Sequence, residues 1–244
     1  MKAGGRIALA HAYLLHHMAW RDTSRILEFF TREHGRVSLF ARGVRSERSQ
    51  LRAVLRPFQR LLVSWSGRGE AGNLTTAEFE GTPTRLPAAR LMSGFYLNEL
   101  LLKLLAKHDG HPQLFDRYHE ALVGLRAPAS EARTLRIFEK RLLEEIGYGI
   151  DLGRDAESGA ALDPDRHYHF RADRGASLAV AESPSTYRGS SLTALAAEAL
   201  DDAQCLKDAR RLLRDALTAC LDGRSLRSRE VMTALRAQEM KACP

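Results

Sequence analysis

Six arginines, Arg42, Arg45, Arg48, Arg52, Arg56 and Arg60, crowd one short window of the chain and are opposed within it only by Glu47. Guanidinium groups fork onto phosphate oxygens and stack on flat rings, so arginine suits a polyanionic strand better than lysine does. Ser46 or Ser49 is expected to start a short helix running through Leu55, and Pro57 to end it. On such a helix Arg45, Arg48, Arg52 and Arg56 fall within about 80° of one another. Leu51, Val54 and Leu55 fall on the neighbouring face. Arginines four apart would stand about 6 Å apart along the axis, close to a single-strand phosphate repeat. With Arg36 before the window and Arg68 after it, the expected strand-binding set is Arg36, Arg42, Arg45, Arg48, Arg52, Arg56, Arg60 and Arg68. Phe29, Phe30, Phe40, Phe58 and Trp65 interleave with these cations, as stacking platforms do in single-strand binders, although alternation must send about half of them into a core.

The charge distribution agrees with a local polyanion site. Of a net charge of +7, residues 1–82 carry +6, from 13 basic against 7 acidic side chains. An anionic membrane surface would call for a basic amphipathic helix or a lipid anchor, and neither is evident. No apolar run approaches the roughly 18 residues of a membrane span. The first residues make a poor signal peptide because His11, His16 and His17 interrupt them, so a cytoplasmic, nucleoid-associated protein is expected.

Other chemistry finds little support. Gly67-Arg68-Gly69-Glu70-Ala71-Gly72 lacks the Lys and Ser/Thr that complete a phosphate loop, and no G-x-S-x-G or H-E-x-x-H motif occurs. No catalytic residue is therefore expected. His16-His17 and the strand-spaced His167 and His169 lack further ligands, and Cys205, Cys220 and Cys243 have no metal-like spacing, so neither metal nor cofactor is expected. Glu139, Glu144 and Glu145 share a helix with Arg136, Lys140 and Arg141, the pattern of a salt-laced surface rather than an acid/base pair.

The elements that must position the arginines read as β. Strands are expected at Ile7–His17, Thr23–Thr31, Arg36–Ala41, Leu61–Ser66 and Asn73–Phe79, with Glu33-His34-Gly35 and Ser66-Gly67-Arg68-Gly69 as turns. Five short strands in about 80 residues fit a small closed barrel, for which the OB-fold is the leading candidate. After Thr82-Pro83 the texture becomes helical, with helices expected over 88–107, 111–125 and 131–146. An acidic, loop-rich insert at 151–183 holds one strand, His167–Phe170. A helix capped by Ser190-Ser191 follows, then helices near 203–221 and 226–240. The expected fold is α+β: an OB-fold barrel over 1–82, then an α-helical domain over 83–244 containing the insert.

Phrases along the chain resemble a known family. Phe29-Phe30-Thr31-Arg32-Glu33-His34-Gly35-Arg36-Val37, Ala41-Arg42-Gly43, Leu55-Arg56-Pro57-Phe58 and Trp65-Ser66-Gly67-Arg68 resemble the first half of bacterial RecO proteins. Ser93-Gly94-Phe95-Tyr96-Leu97-Asn98-Glu99-Leu100-Leu101, Leu114-Phe115-Asp116-Arg117-Tyr118, Leu135-Arg136-Ile137-Phe138-Glu139 and Gly147-Tyr148-Gly149-Ile150-Asp151-Leu152 continue in that family's order. The resemblance implies an OB-fold followed by helices, binding of single- and double-stranded DNA, and annealing of complementary strands without ATP. It implies RecR, the C-terminal tail of single-strand-binding protein (SSB), RecF and RecA as partners in loading RecA onto SSB-coated gaps. Many relatives carry a four-cysteine zinc module beginning C-x-x-C after the Gly-Tyr-Gly-Ile-Asp-Leu phrase. Here Asp155 and Ser158 stand at those places, and a metal-free insert held by packing alone is expected. A basic protein-interaction scaffold with only secondary DNA contact remains the alternative.

Overall fold

The computed structural model describes all residues except 1–4, 47–48, 68–70, 84, 128–130, 150 and 243–244, and the side chains of 235–242 are likewise outside the description. Arg48 and Arg68 of the expected set fall outside the described residues. Contact density divides the chain into one unit of residues 1–126 with 226–244, and a second of residues 127–225.

The first unit is built on five strands: β1 Arg6–Trp20, β2 Ser24–Thr31, β3 Gly35–Ala41, β4 Arg60–Ser66 and β5 Ala71–Phe79. They close in the order β1-β2-β3-β5-β4, with β4 returning to β1 and β3 meeting β5 in parallel. This is the five-stranded OB-fold barrel. Alternation fills its interior with Leu14, Leu27, Phe29, Val37, Leu39, Ala41, Leu61 and Val63. A five-residue helix, α1 Gln50–Val54, closes one end: Leu51 and Val54 pack on the core, and Val44 and Leu55 join it.

The barrel's outer face is covered in part by helices of the same unit, α2 Leu91–Leu104 and α3 Pro112–Gly124. Tyr13 and Phe30 point out of the barrel and meet Phe115 and Tyr118 of α3 with ring centroids 5.0 to 6.3 Å apart. Such pairs add about 1 kcal/mol each to the area they bury. Burial holds the Tyr13 phenol well above its usual pKa and pushes the His119 imidazole below its own, and the Tyr13 hydroxyl shares a hydrogen bond with His119 Nδ1. Buried Asn98 ties α2 to both neighbours, donating to the Leu15 carbonyl at 2.9 Å and accepting from the Tyr118 hydroxyl. The turn before β3 presses on the loop after α2 so closely that a Cβ on Gly35 would stand 1.7 Å from the Asp109 carbonyl oxygen. The helix over Arg227–Ala242 packs against α2, where Glu99 accepts from the Arg227 and Ser228 backbone at 3.0 and 2.9 Å.

The second unit holds α4 Glu131–Glu145, a small sheet ordered β7-β6-β8 (Gly175–Leu178, His167–Arg171, Tyr187–Arg188), α5 Gly189–Ala196 and α6 Ala203–Cys220. The chain ends in α7 Arg227–Ala242, of the first unit. Ser190 and Ser191 do not cap α5. Its N-cap is Arg188, and Ser191 is buried within the helix, donating to Asp208 at 2.8 Å. A cap hydroxyl is not needed when a tertiary acceptor takes it. Asp202 caps α6 instead, accepting from the Gln204 and Cys205 backbone.

Candidate nucleic-acid interface

The arginine-rich segment lies at the barrel end where β1 turns into β2. Leu51, Val54 and Leu55 turn inward as the helical spacing requires, leaving Arg52 exposed on α1 and Arg56 exposed just after its end. The helix is shorter than expected, however, and Arg45 precedes it on a turn, so no single-helix ladder of four arginines forms. Arg45 is held by the β1–β2 hairpin: its backbone N–H donates to the Thr23 carbonyl at 3.0 Å and its guanidinium to the Arg21 carbonyl at 3.2 Å. Those bonds bring Arg45 and Arg21 together at one corner of the barrel, and Arg42 follows directly on the end of β3. Arg42, Arg52 and Arg56 are exposed and make no ion pair among the described residues. Free, exposed guanidinium groups retain their full capacity for an incoming phosphate.

Two of the expected cations are already engaged. Arg36 is only 17% exposed; it lies 3.9 Å from Glu28 and donates to the Leu102 carbonyl, tying β3 to α2. Arg60 pairs with Glu80 at 2.8 Å and lies over the Phe115 ring, while His11 holds the same carboxylate. Both cations brace helices and strands within the unit.

The aromatic residues divide as alternation requires, with a different winner. Phe29 and Phe30 are fully buried, and Phe58 is buried against Phe95 with the rings 5.1 Å apart. Trp65 packs on the core beside His34. Phe40 remains half-exposed on the outer face, 6.0 Å from Trp20, a residue outside the expected set. Trp20 was missed because β1 extends three residues beyond the expected His17. The continued alternation His16, Met18, Trp20 opposite Glu28, Ile26 and Ser24 is the signal that carries it. On the opposite face His17 meets Arg25, and burial together with that guanidinium pushes its imidazole below the usual value. Glu28, on the outer face of β2, accepts from Ser38 and faces Arg36 and Lys107.

No three His, Cys, Asp or Glu side chains gather as a metal set among the described residues. The insert's donors do not fit zinc. Asp155 spends one oxygen on the backbone of Glu157 and on the backbone and hydroxyl of Ser158, at 2.7 to 3.1 Å, and the other on the Leu178 backbone at 2.9 Å. A closed structural zinc site needs four thiolate or imidazole ligands, and this segment contains no cysteine. The insert is thus held by a carboxylate-centred set of hydrogen bonds as well as by packing of Leu152, Leu162, Tyr168 and Ala176.

A closed barrel of this strand order, with arginines and exposed rings beside its β1–β2 loop and β2–β3 face, defines an OB-fold protein whose basic corner lies where such barrels take oligonucleotides. Family comparison narrows the class. Residues 7–82 match the family model described as Recombination protein O N terminal, and residues 87–230 match Recombination protein O C terminal. The chain is 47% identical to the DNA repair protein RecO of Methylococcus capsulatus over 93% of each chain. It is 40% identical to that of Ralstonia nicotianae, over 96% of this chain and 87% of the relative, and 40% identical to that of Coxiella burnetii, over 93% and 98%. The chain belongs to the RecO family of DNA repair proteins. The family models part at 82 and 87, whereas contact density parts the chain at 126, because α2 and α3 pack with the barrel although they match with the later helices. Among the described residues no helix is long and apolar enough to cross a membrane.

Proposed function

We propose that the basic corner of the barrel binds single- and double-stranded DNA, and that the protein anneals complementary strands without catalysis or ATP. With RecR it helps RecA load onto SSB-coated single strands, the SSB C-terminal tail and RecF being further partners, in the cytoplasm and at the nucleoid. The observation carrying this reading is the set of exposed arginines, Arg42, Arg45, Arg52 and Arg56, anchored at one barrel end by the apolar side of α1 and by the hairpin. Each phosphate they neutralise releases condensed counterions, so affinity should fall steeply as salt rises. Bringing two strands to one neutralised surface lowers the repulsion that opposes pairing, which needs no nucleotide hydrolysis. A strand-annealing assay on SSB-coated complementary strands, without ATP, tests DNA binding, SSB contact and energy independence together. Annealing that requires ATP, or that fails on coated strands, would count against the reading.

A further inference from the structure

The row of side chains across the barrel's outer face suggests what the corner recognises. Strand register places Met18, Ile26, Phe40 and Asn73 side by side on β1, β2, β3 and β5. Trp20 lies two residues beyond Met18 on the same face, opposite Ser24. Met18 is 52% exposed and Trp20 44%, and the Trp20 and Phe40 rings stand 6.0 Å apart at an interplanar angle of 53°. Helix α2 and the segment after it cover the lower part of this face, reaching Arg36 through the Leu102 carbonyl and Glu28 through Lys107. The upper part, where the rings lie, is open to solvent.

Resting on the reading that the corner binds DNA, we propose that Trp20 and Phe40 form a stacking platform for unpaired nucleobases, flanked by Met18 and Ile26. Exposed apolar rings alone would suit a protein partner equally well. The rim decides between them: Arg21 follows Trp20, Arg42 lies two residues beyond Phe40, and Arg45 donates to the Arg21 carbonyl, while Asp22 is the one acid among the described residues of these two turns and Glu28 already faces cations. A ligand that is polyanionic along one edge and presents flat apolar faces along the other is a nucleic-acid strand. A duplex keeps those faces stacked inside, so only an unpaired strand satisfies rings and rim together. The platform therefore adds affinity for single strands at this corner, with the arginines supplying the sequence-independent attraction that single and double strands share. During annealing a base held on these rings must leave them to pair, so the surface loses its grip as the duplex forms.

The test uses the full chain and two labelled oligonucleotides of equal length: oligo-dT, and an abasic strand with the same sugar–phosphate backbone and no bases. In a Trp65→Phe background, the remaining Trp20 fluorescence should be quenched by oligo-dT and not by the abasic strand. Trp20→Ala should weaken oligo-dT binding about tenfold. It should leave abasic binding and the salt slope unchanged, and Trp20→Phe should restore most of the loss. Circular dichroism melts of each variant establish that the barrel is intact. Unquenched Trp20, or equal affinity of Trp20→Ala and the parent for oligo-dT, overturns the platform while the DNA-binding reading survives. If neither strand binds the parent protein, both fall.

Discussion

Residues 42–60 and residues 131–145 are both rich in arginine, yet the fold treats them in opposite ways. In the first stretch the cations have one acidic residue among them, and Arg42, Arg45, Arg52 and Arg56 stay at the surface. In the second, four basic and four acidic residues share helix α4, and several are buried together. Arg136 meets Glu139 at 2.6 Å with side chains 11% and 1% exposed, and Lys140 bridges Glu144 and Glu198 at 2.9 and 3.2 Å. Charges of one sign cannot be buried without large desolvation cost, whereas matched charges can be taken in together. Arginine without a matching acid nearby is therefore left at the surface. Mixed charge marks nothing until its partners are known.

The largest expected effect breaks the second half of that contrast. Glu139→Ala leaves Arg136 buried beside a missing carboxylate and should cost about 3 kcal/mol of stability by denaturant unfolding. Replacing both partners, Arg136→Met with Glu139→Leu, should recover most of it, since an apolar pair leaves no uncompensated charge. A loss below about 0.5 kcal/mol would mean that α4 is an ordinary solvated surface after all. The first half predicts the reverse. Arg42→Ala, Arg52→Ala and Arg56→Ala combined should move stability by no more than about 0.5 kcal/mol. The same triple variant should lower the slope of log affinity for single-stranded DNA against log salt by about 2, with about 10- to 100-fold weaker binding at low salt. Arg60→Ala sharpens the line between the two classes. It should cost about 1 kcal/mol through the loss of its Glu80 pair, with the salt slope unchanged.

How far the sequence was legible follows the same physics. All five barrel strands were placed within a few residues, since β-branched and aromatic residues in alternation between turn residues are local signals. The orientation of Leu51, Val54 and Leu55 was local too, and the structure sets them against the core. What the sequence did not disclose depends on distant partners. Glu198 stands 58 residues from Lys140, so nothing near α4 announces that its charges are buried. Ser191 is drawn from a cap role by Asp208, 17 residues on. Arg36 and Arg60 look like their neighbours in the sequence, and only the Leu102 carbonyl and the Glu80 carboxylate distinguish them. Trp20 was missed because the histidines before it obscure the alternation of β1.

The smallest effect concerns a lone carboxylate that follows neither pattern. Among the described residues Asp155 has no cation partner, and it is held instead by N–H and O–H donors. The backbone and side-chain bonds from Ser158, with those from Leu178 and Glu157, hold its carboxyl below the ordinary range. A carboxyl with a depressed pKa in the folded state adds stability that is complete above the ordinary value of about 4 and is lost as pH falls through the depressed one. Asp155→Asn keeps one acceptor oxygen, but it loses the charge and the second acceptor. It should lower the melting temperature at pH 7 by about 3 °C. The drop between pH 7 and pH 3 should then be smaller than in the parent, because this contribution has already gone. Asp116 and Asp202 are depressed as well and titrate in both proteins, so the difference between the two profiles isolates Asp155. Parallel profiles would show that the insert's hydrogen bonds survive without the charge, and that its packing carries the fold.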